Sequence, residues 1–229
     1  MNKKLIIFDI DGTLTNTNEV DHQSFIKSYA DLYDVHVNES IWEQCEHYTD
    51  TGIASYIFES KIGRPIGPVD IRKIKNKMLD NLLHFMEAEQ NAFNEVAGAN
   101  DFIELLKKNN QYEIAIATGC WEATAHLKLN IAGIDYEDLP LANCDHHISR
   151  AGIIEKAIEL AKEKNTQHTF DKIIYFGDGI WDVKSTDALQ IPLIGIDCKK
   201  TNVLSNAGVK TVFNDYKNTA AILKAIESF

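Results

Sequence analysis

The chain has 229 residues, enough for one large domain or for a core with a smaller companion. With 34 acidic against 23 basic residues its formal net charge is −11, and the basic residues are spread along the chain, so binding to a nucleic-acid backbone is not expected. No apolar run approaches the ~20 residues that span a bilayer, and the four cysteines (Cys45, Cys120, Cys144 and Cys198) lack metal-like spacing, which fits reduced thiols in a cytoplasmic protein.

In chain order, Lys4 to Ile10 reads as a short buried strand, apolar at Leu5, Ile6, Ile7 and Phe8. Lys3 and Lys4 before these apolar residues resemble a leader only weakly, because Asp9 and Asp11 end the run. From about Asn18 to Asn91 strand signals are almost absent. Phe25, Tyr29, Leu32 and Tyr33 form one helical face, and Ile71, Ile74, Met78, Leu82 and Phe85 another, with Gly63, Pro65, Gly67 and Pro68 marking a turn between them. A helical period follows at Phe102, Leu105 and Leu106, then a strand at Glu113–Ala117. The next helix carries Ile153, Ile154, Ala157, Ile158 and Ala161. Strands at Lys172–Phe176, Ile191–Ile196 and Lys210–Phe213 lead to a last helix with Ile222, Leu223 and Ile226. This alternation predicts an α/β fold, a Rossmann-like parallel sheet flanked by helices, with an all-helical segment inserted after the first strand. The expected division is a core of residues 1–17 and 92–229 and a helical insertion of residues 18–91.

In such a sheet, ligands bind outside the carboxyl ends of the strands. The polar clusters fall at those ends: Asp9 and Asp11 after the first strand, Thr118 after the second, and Asp178 and Asp182 after a later one. Four carboxylates cannot share a crevice unaided, since two unit charges ~4 Å apart at an effective dielectric of ~20 repel by roughly 4 kcal/mol. A divalent cation with oxygen ligands supplies the counter-charge, and magnesium also binds phosphate readily. One carboxylate can then attack phosphorus, and a second can protonate the leaving oxygen and later activate water. Gly12 allows a tight turn that brings backbone N–H donors towards phosphate oxygens, and the Thr118 hydroxyl with a cationic side chain can neutralise the rest.

The segment Phe8-Asp9-Ile10-Asp11-Gly12-Thr13-Leu14 resembles the first motif of the haloacid dehalogenase superfamily phosphatases. Ala117-Thr118-Gly119 resembles their second motif and Gly177-Asp178-Gly179-Ile180-Trp181-Asp182 their fourth. The helical insertion stands where members with a helical cap, of the phosphoglycolate phosphatase kind, carry that cap. The resemblance implies Asp9 as nucleophile and Asp11 as general acid/base. It implies Mg2+ held by the Asp9 carboxylate, the Asp11 backbone carbonyl and Asp178, with Asp182 orienting the surroundings. Phosphate would be held by Asp11, Gly12, Thr118, Gly119 and the third-motif cation. That cation is read as Arg150, ahead of Lys156. Tyr48 to Ile53 resembles the specificity loop of the caps, which points to Thr49, Asp50 and Thr51 as selectors, with Asp50 disfavouring a second anion unless Arg64 or Lys61 lies beside it.

The implied activity is hydrolysis of a small phosphorylated metabolite, with sugar phosphates, phosphoglycolate and nucleotides all open, and the oligomeric state open too. A sugar phosphomutase of the same superfamily is the alternative, with His22 as a mutase-like feature, and a phospho-receiver or binding module is a more distant one. Several residues also have plainer readings. Trp121 and Trp181 can wall a pocket or simply pack; His146 and His147 read as a solvated loop; Lys128 reads as a surface residue or one supporting the site from behind.

Overall fold

A computed structural model describes residues 3–88, 93–165 and 169–229. Its centre is a six-stranded parallel sheet in the order β3-β2-β1-β4-β5-β6. The strands are β1 (Lys4–Phe8), β2 (Tyr112–Ala117), β3 (Leu141–Ala142), β4 (Lys172–Gly177), β5 (Leu193–Ile196) and β6 (Val212–Phe213). Leu5 to Phe8 are buried on both sides of the sheet, which is why this stretch reads as a continuous apolar run rather than an alternating one.

The period of two divides the core. Leu5, Ile7, Ala115, Ala117 and Tyr175 point to one face, where they meet Ile153, Ile154, Ala157 and Ala161 of α6 (Arg150–Asn165). Ile6, Phe8, Ile114, Ile116, Ile174 and Phe176 point to the other. There they meet α4 (Ala99–Lys107), α5 (Glu122–Ile131) and α9 (Thr219–Glu227). Two further core helices are α7 (Ile180–Leu189) and the short α8 (Val203–Asn206). Phe8, Phe102, Phe176 and Tyr216 form an aromatic cluster on this second face.

Between β1 and α4 the described residues are helical. They comprise α1 (Asn18–Tyr33), a 3₁₀ turn (Glu39–Gln44), α2 (Asp50–Ile57) running into a π turn (Phe58–Ile62), and α3 (Pro68–Ala88). Helices α1 and α3 pack together, and α3 also touches α5. The expected boundary between residues 91 and 92 lies outside the described residues. Among the described residues no helix is long and apolar enough to cross a membrane.

The structure departs from the expected pattern in several places. Strands β5 and β6 begin at Leu193 and Val212, each two residues later than expected, and the expected loop from Tyr48 to Ile53 is already helical at Asp50. Strand β3 gave no sequence signal, because two residues at a sheet edge are too few to show a period. Leu105 is exposed and Ile103 takes its place in the core, and Leu32 is exposed while the stripe of α1 continues through the half-buried Tyr33. In both helices the misjudged leucine stands beside a residue at better core spacing.

The aromatic cluster generates a stability prediction. Phe102 is fully buried against Phe8, Phe176 and Tyr216. Phe102→Ala should cost about 3–5 kcal/mol, read as a fall in the urea midpoint with an unchanged slope.

Candidate functional site

Strand β1 is flanked by β2 on one side and β4 on the other, so the chain after β1 lies at the point where the strand order reverses. Asp9, Thr118 and Asp178 each follow the last residue of their strand, and the Asp9 N–H continues the ladder by donating to the Phe176 carbonyl at 3.0 Å. Three distant parts of the sequence thus deliver polar side chains to one crevice.

Asp9 is 3% exposed. Its Oδ1 accepts the Ile10 N–H at 2.8 Å and its Oδ2 accepts Arg150 Nη1 at 2.7 Å. Arg150, the first residue of α6, also lies 3.5 Å from Asp182 Oδ1. Asp182 is fully buried: its Oδ2 accepts the N–H groups of Asp178 and Gly179, and its Oδ1 accepts the Tyr175 hydroxyl. Asp178 accepts Asn18 Nδ2 at 3.0 Å on Oδ2, while its buried Oδ1 has no protein partner. Burial pushes the Asp9 carboxyl up to about 7, against the pull of Arg150 and with help from Asp182 and Asp11. Burial with the nearby Asp182 and Asp9 raises Asp178 well above the ordinary carboxylate range.

Oxygen atoms of Asp9, Asp178 and Asp182 lie within 4.8 Å of one another. Arg150 faces only part of this cluster, and the buried Asp178 Oδ1 has no donor beside it among the described residues. A hard divalent cation fits that donor set. A second group of possible ligands, Asp11, Asp21 and Cys120, does not fit one. The Lys128 ammonium already sits among them, 2.6 Å from each carboxylate and 2.9 Å from the Cys120 sulfur.

The Asp11 carboxylate turns towards Lys128. Its Oδ2 accepts from Lys128 and from the Cys120 thiol at 2.9 Å, and its Oδ1 accepts the Thr17 hydroxyl at 2.5 Å. Burial alone would raise this carboxyl, but Lys128, Cys120 and Thr17 together hold it below its ordinary value. Lys128 is fully buried on α5 and is therefore no surface residue. Of its two sequence readings the structure selects the one that supports the site from behind, and Asp21 is the site residue that the sequence reading passed over. Each stands at core spacing in its helix, Lys128 four residues after Thr124 and Asp21 four before Phe25. A charged residue inside a buried stripe is the signal that could have found them.

Other expected residues are distributed unevenly. An inner pocket of about 50 Å³ is lined by Asp9, Asp11, Gly119, Arg150, Thr49 and Asp50, with His22 and Asp21 from α1. Thr118 is buried behind it, its Oγ1 accepting the Cys120 N–H at 3.3 Å, and does not reach the pocket wall. The Gly12 N–H, expected to face a phosphate, donates instead to the Thr15 carbonyl at 2.7 Å. Gly12 matters for clearance: at φ +72°, a Cβ would stand 1.9 Å from Asp178 Oδ2. In the loop before α2, Thr49 caps the helix through the Gly52 N–H and donates to the Ile148 carbonyl. Asp50 clamps the loop after β2, its N–H donating to Gly119 and its Oδ2 accepting the Trp121 N–H. Thr51 faces Trp121 and Cys144, away from the inner pocket. Arg64 pairs with Asp70 and so does not accompany Asp50.

Trp121 is fully buried against Phe25, whereas Trp181 stacks on Tyr48 at 3.9 Å and walls the pocket. Lys156 is paired with Glu159 on the exposed side of α6, remote from Asp9. His146 and His147 are exposed and hydrogen-bond within their own loop, His146 to Asn143 and His147 to Ser149.

A model of the haloacid dehalogenase-like hydrolases matches residues 6–196. The chain belongs to this family. No curated protein matches it in sequence. Among solved structures, a hydrolase from Pseudomonas syringae is similar at a TM-score of 0.73 and 19% identity, over 99% of both chains. CbbY from Rhodobacter sphaeroides, solved with phosphate and, as a mutant, with xylulose-(1,5)bisphosphate, is similar at 0.70 and 16%, over 95% of this chain and 96% of its own. A β-phosphoglucomutase from Clostridium difficile is similar at 0.70 and 14%, over 97% of this chain and 96% of its own. At these identities the likeness is one of fold.

Within this dehalogenase-like frame, the contact between Gly12 and Asp178 can be tested directly. Gly12→Ala must move the turn or Asp178 as well as adopt a left-handed conformation, which should destabilise the protein by about 1–3 kcal/mol. Thermal unfolding checks this, and an unchanged midpoint would contradict the packing described.

Proposed function

We propose that this hydrolase is a magnesium-dependent phosphomonoesterase that acts on a small phosphorylated metabolite through a phosphoaspartate on Asp9. The observation that carries the reading is the Asp9 carboxylate, buried beside Arg150 in a cluster with Asp178 and Asp182, at the wall of a pocket of about 50 Å³. That volume suits a phosphoryl group and little more. It adjoins a cavity of about 780 Å³, with which it shares His22, Trp42, Tyr48, Arg150 and Trp181. A cavity of that size, within the range of small-ligand sites, would take the alcohol part of the substrate. Both pockets have one wall from the segment 18–88, which we read as a cap, and one from the core.

Magnesium would be held by Asp9, Asp178 and the Asp11 backbone carbonyl, with Asp182 fixing the turn behind them through the Asp178 and Gly179 N–H groups. Bound there, it would offset the charge of the carboxylates and of the phosphate oxygens. Asp9 attacks phosphorus, forming the Asp9–O–P bond as the ester P–O bond breaks. Lys128, Cys120 and Thr17 favour the ionised form of Asp11, so in this role it takes up a proton as the anionic phosphate enters, gives that proton to the departing oxygen, and then takes one from the water that cleaves the phosphoaspartate. The Arg150 guanidinium lies against Asp9 throughout and offers donors to the phosphoryl oxygens as charge builds. The four free thiols are in keeping with a cytoplasmic location.

A phosphomutase reading draws on His22, which lines both pockets and meets Trp42 edge to face at 5.5 Å. Conversion of a sugar monophosphate only in the presence of its bisphosphate would favour the mutase over the hydrolase.

The decisive experiment is release of inorganic phosphate from a panel of phosphorylated metabolites, with and without magnesium. Activity should require the metal and vanish in Asp9→Asn at retained fold. Metal-independent turnover, or a variant as active as the parent after deamidation is excluded, would sink the proposal. A second comparison addresses the cation. Arg150→Ala should lower turnover by about 10²–10³, comparable to losing one electrostatic donor, whereas Lys156→Ala should leave it nearly unchanged. A larger loss at Lys156 would contradict the part given to Arg150.

A further inference from the structure

Lys128 comes from the middle of α5, and its ammonium lies behind three residues that line the inner pocket, Asp11, Asp21 and Cys120, with no exposure to solvent. An ammonium has three N–H donors. Here three acceptors meet them: Asp11 Oδ2 at 2.6 Å, Asp21 Oδ1 at 2.6 Å and Cys120 Sγ at 2.9 Å. The acceptors come from the turn after β1, from α1 and from the loop after β2. No donor of Lys128 is left over for a substrate, so whatever it contributes to the reaction passes through its partners.

Burying a lysine for stability alone is a poor use of a core position, since apolar residues of similar volume generally serve as well. What the ion bridge does provide is direction. Lys128 and Cys120 hold one Asp11 oxygen, and the Thr17 hydroxyl, one residue before α1, holds the other. Asp21 lies in the first turn of α1 on the same ammonium. The carboxylate of Asp11 is thus fixed from the core by α5 and tied to the first helix of the inserted segment.

We propose that Lys128 is a positioning residue for Asp11, and that Asp21 links the seating of helix α1 to the orientation of that carboxylate. The proposal rests on the reading of Asp11 as general acid/base.

Lys128→Met leaves two carboxylates facing each other without a counter-charge and can fail to fold, so the main test uses the double variant Lys128→Met/Asp21→Asn, with Asp21→Asn alone as the milder one. Turnover of an alkyl phosphate (β-glycerophosphate) and of p-nitrophenyl phosphate is compared, and a crystal structure of the variant gives the Asp11 orientation. A misdirected acid should matter most where the leaving oxygen needs a proton, so kcat for the alkyl ester should fall about tenfold or more beyond any fall for the aryl ester, at little change in KM. Asp11 should leave its Thr17 contact. Asp21→Asn should shift the alkyl-to-aryl ratio in the same direction by less. An equal fall for both esters, or an Asp11 that keeps its orientation, overturns the role of Lys128; an unmoved ratio in Asp21→Asn overturns the link to α1. If the parent enzyme hydrolyses neither ester, the phosphatase reading is decided by the metabolite panel, and the Asp11 orientation in the variant crystal decides by itself whether Lys128 holds it.

Discussion

The excess of buried carboxylates at the carboxyl ends of β1 and β4 governs the organisation around them. Asp9, Asp178 and Asp182 converge within 4.8 Å, and such a cluster is tolerable only if each member is answered by a donor or a cation. The fold supplies these answers from separate elements: backbone N–H groups of the turn into α7 for Asp182, the Asn18 amide at the start of α1 for Asp178, and the Arg150 guanidinium at the start of α6 for Asp9. What stays unanswered, above all the Asp178 Oδ1, defines the donor set for a divalent ion.

A second charge cluster lies beside the first and is balanced differently. Around Asp11 and Asp21 the cation is part of the chain, the Lys128 ammonium. Two neighbouring acidic groups therefore have opposite characters. One is electrostatically incomplete and suited to an ion and an anionic substrate, and the other is closed, with every ammonium donor used. Asp9 and Asp11 are two residues apart in sequence, yet burial raises one carboxyl and the lysine's ion pair and hydrogen bonds lower the other.

The helical segment between β1 and α4 is fastened to the core by polar contacts around the pocket as well as by its apolar face. Asp50 exchanges hydrogen bonds with Gly119 and Trp121, Thr49 reaches the Ile148 carbonyl, and Tyr48 stacks on Trp181. These contacts use side chains that a loop reading would assign to substrate selection. Thr51 is wholly engaged this way, while Thr49 and Asp50 both fasten the segment and line the pocket.

The sequence by itself determined the sheet, its flanking helices and the place of Asp9 at a strand's carboxyl end, because continuous apolar runs ending in acidic turns are local patterns of a parallel sheet. Arg150 was legible too, since its place before an apolar helical stripe fixes where that helix begins. The two-residue β3 was too short to leave a period. The tertiary structure alone decided which donor meets which acceptor. The Gly12 N–H turned to Thr15, the Thr118 hydroxyl turned to its own loop, and Lys128 reached Asp11 from the middle of a helix. The physical reason is that a residue's spacing determines the face it occupies, whereas the destination of a long charged side chain depends on charges brought up by other elements. Asp11 and Asp21, from the turn after β1 and from α1, become partners of one ammonium only once the chain has closed around it.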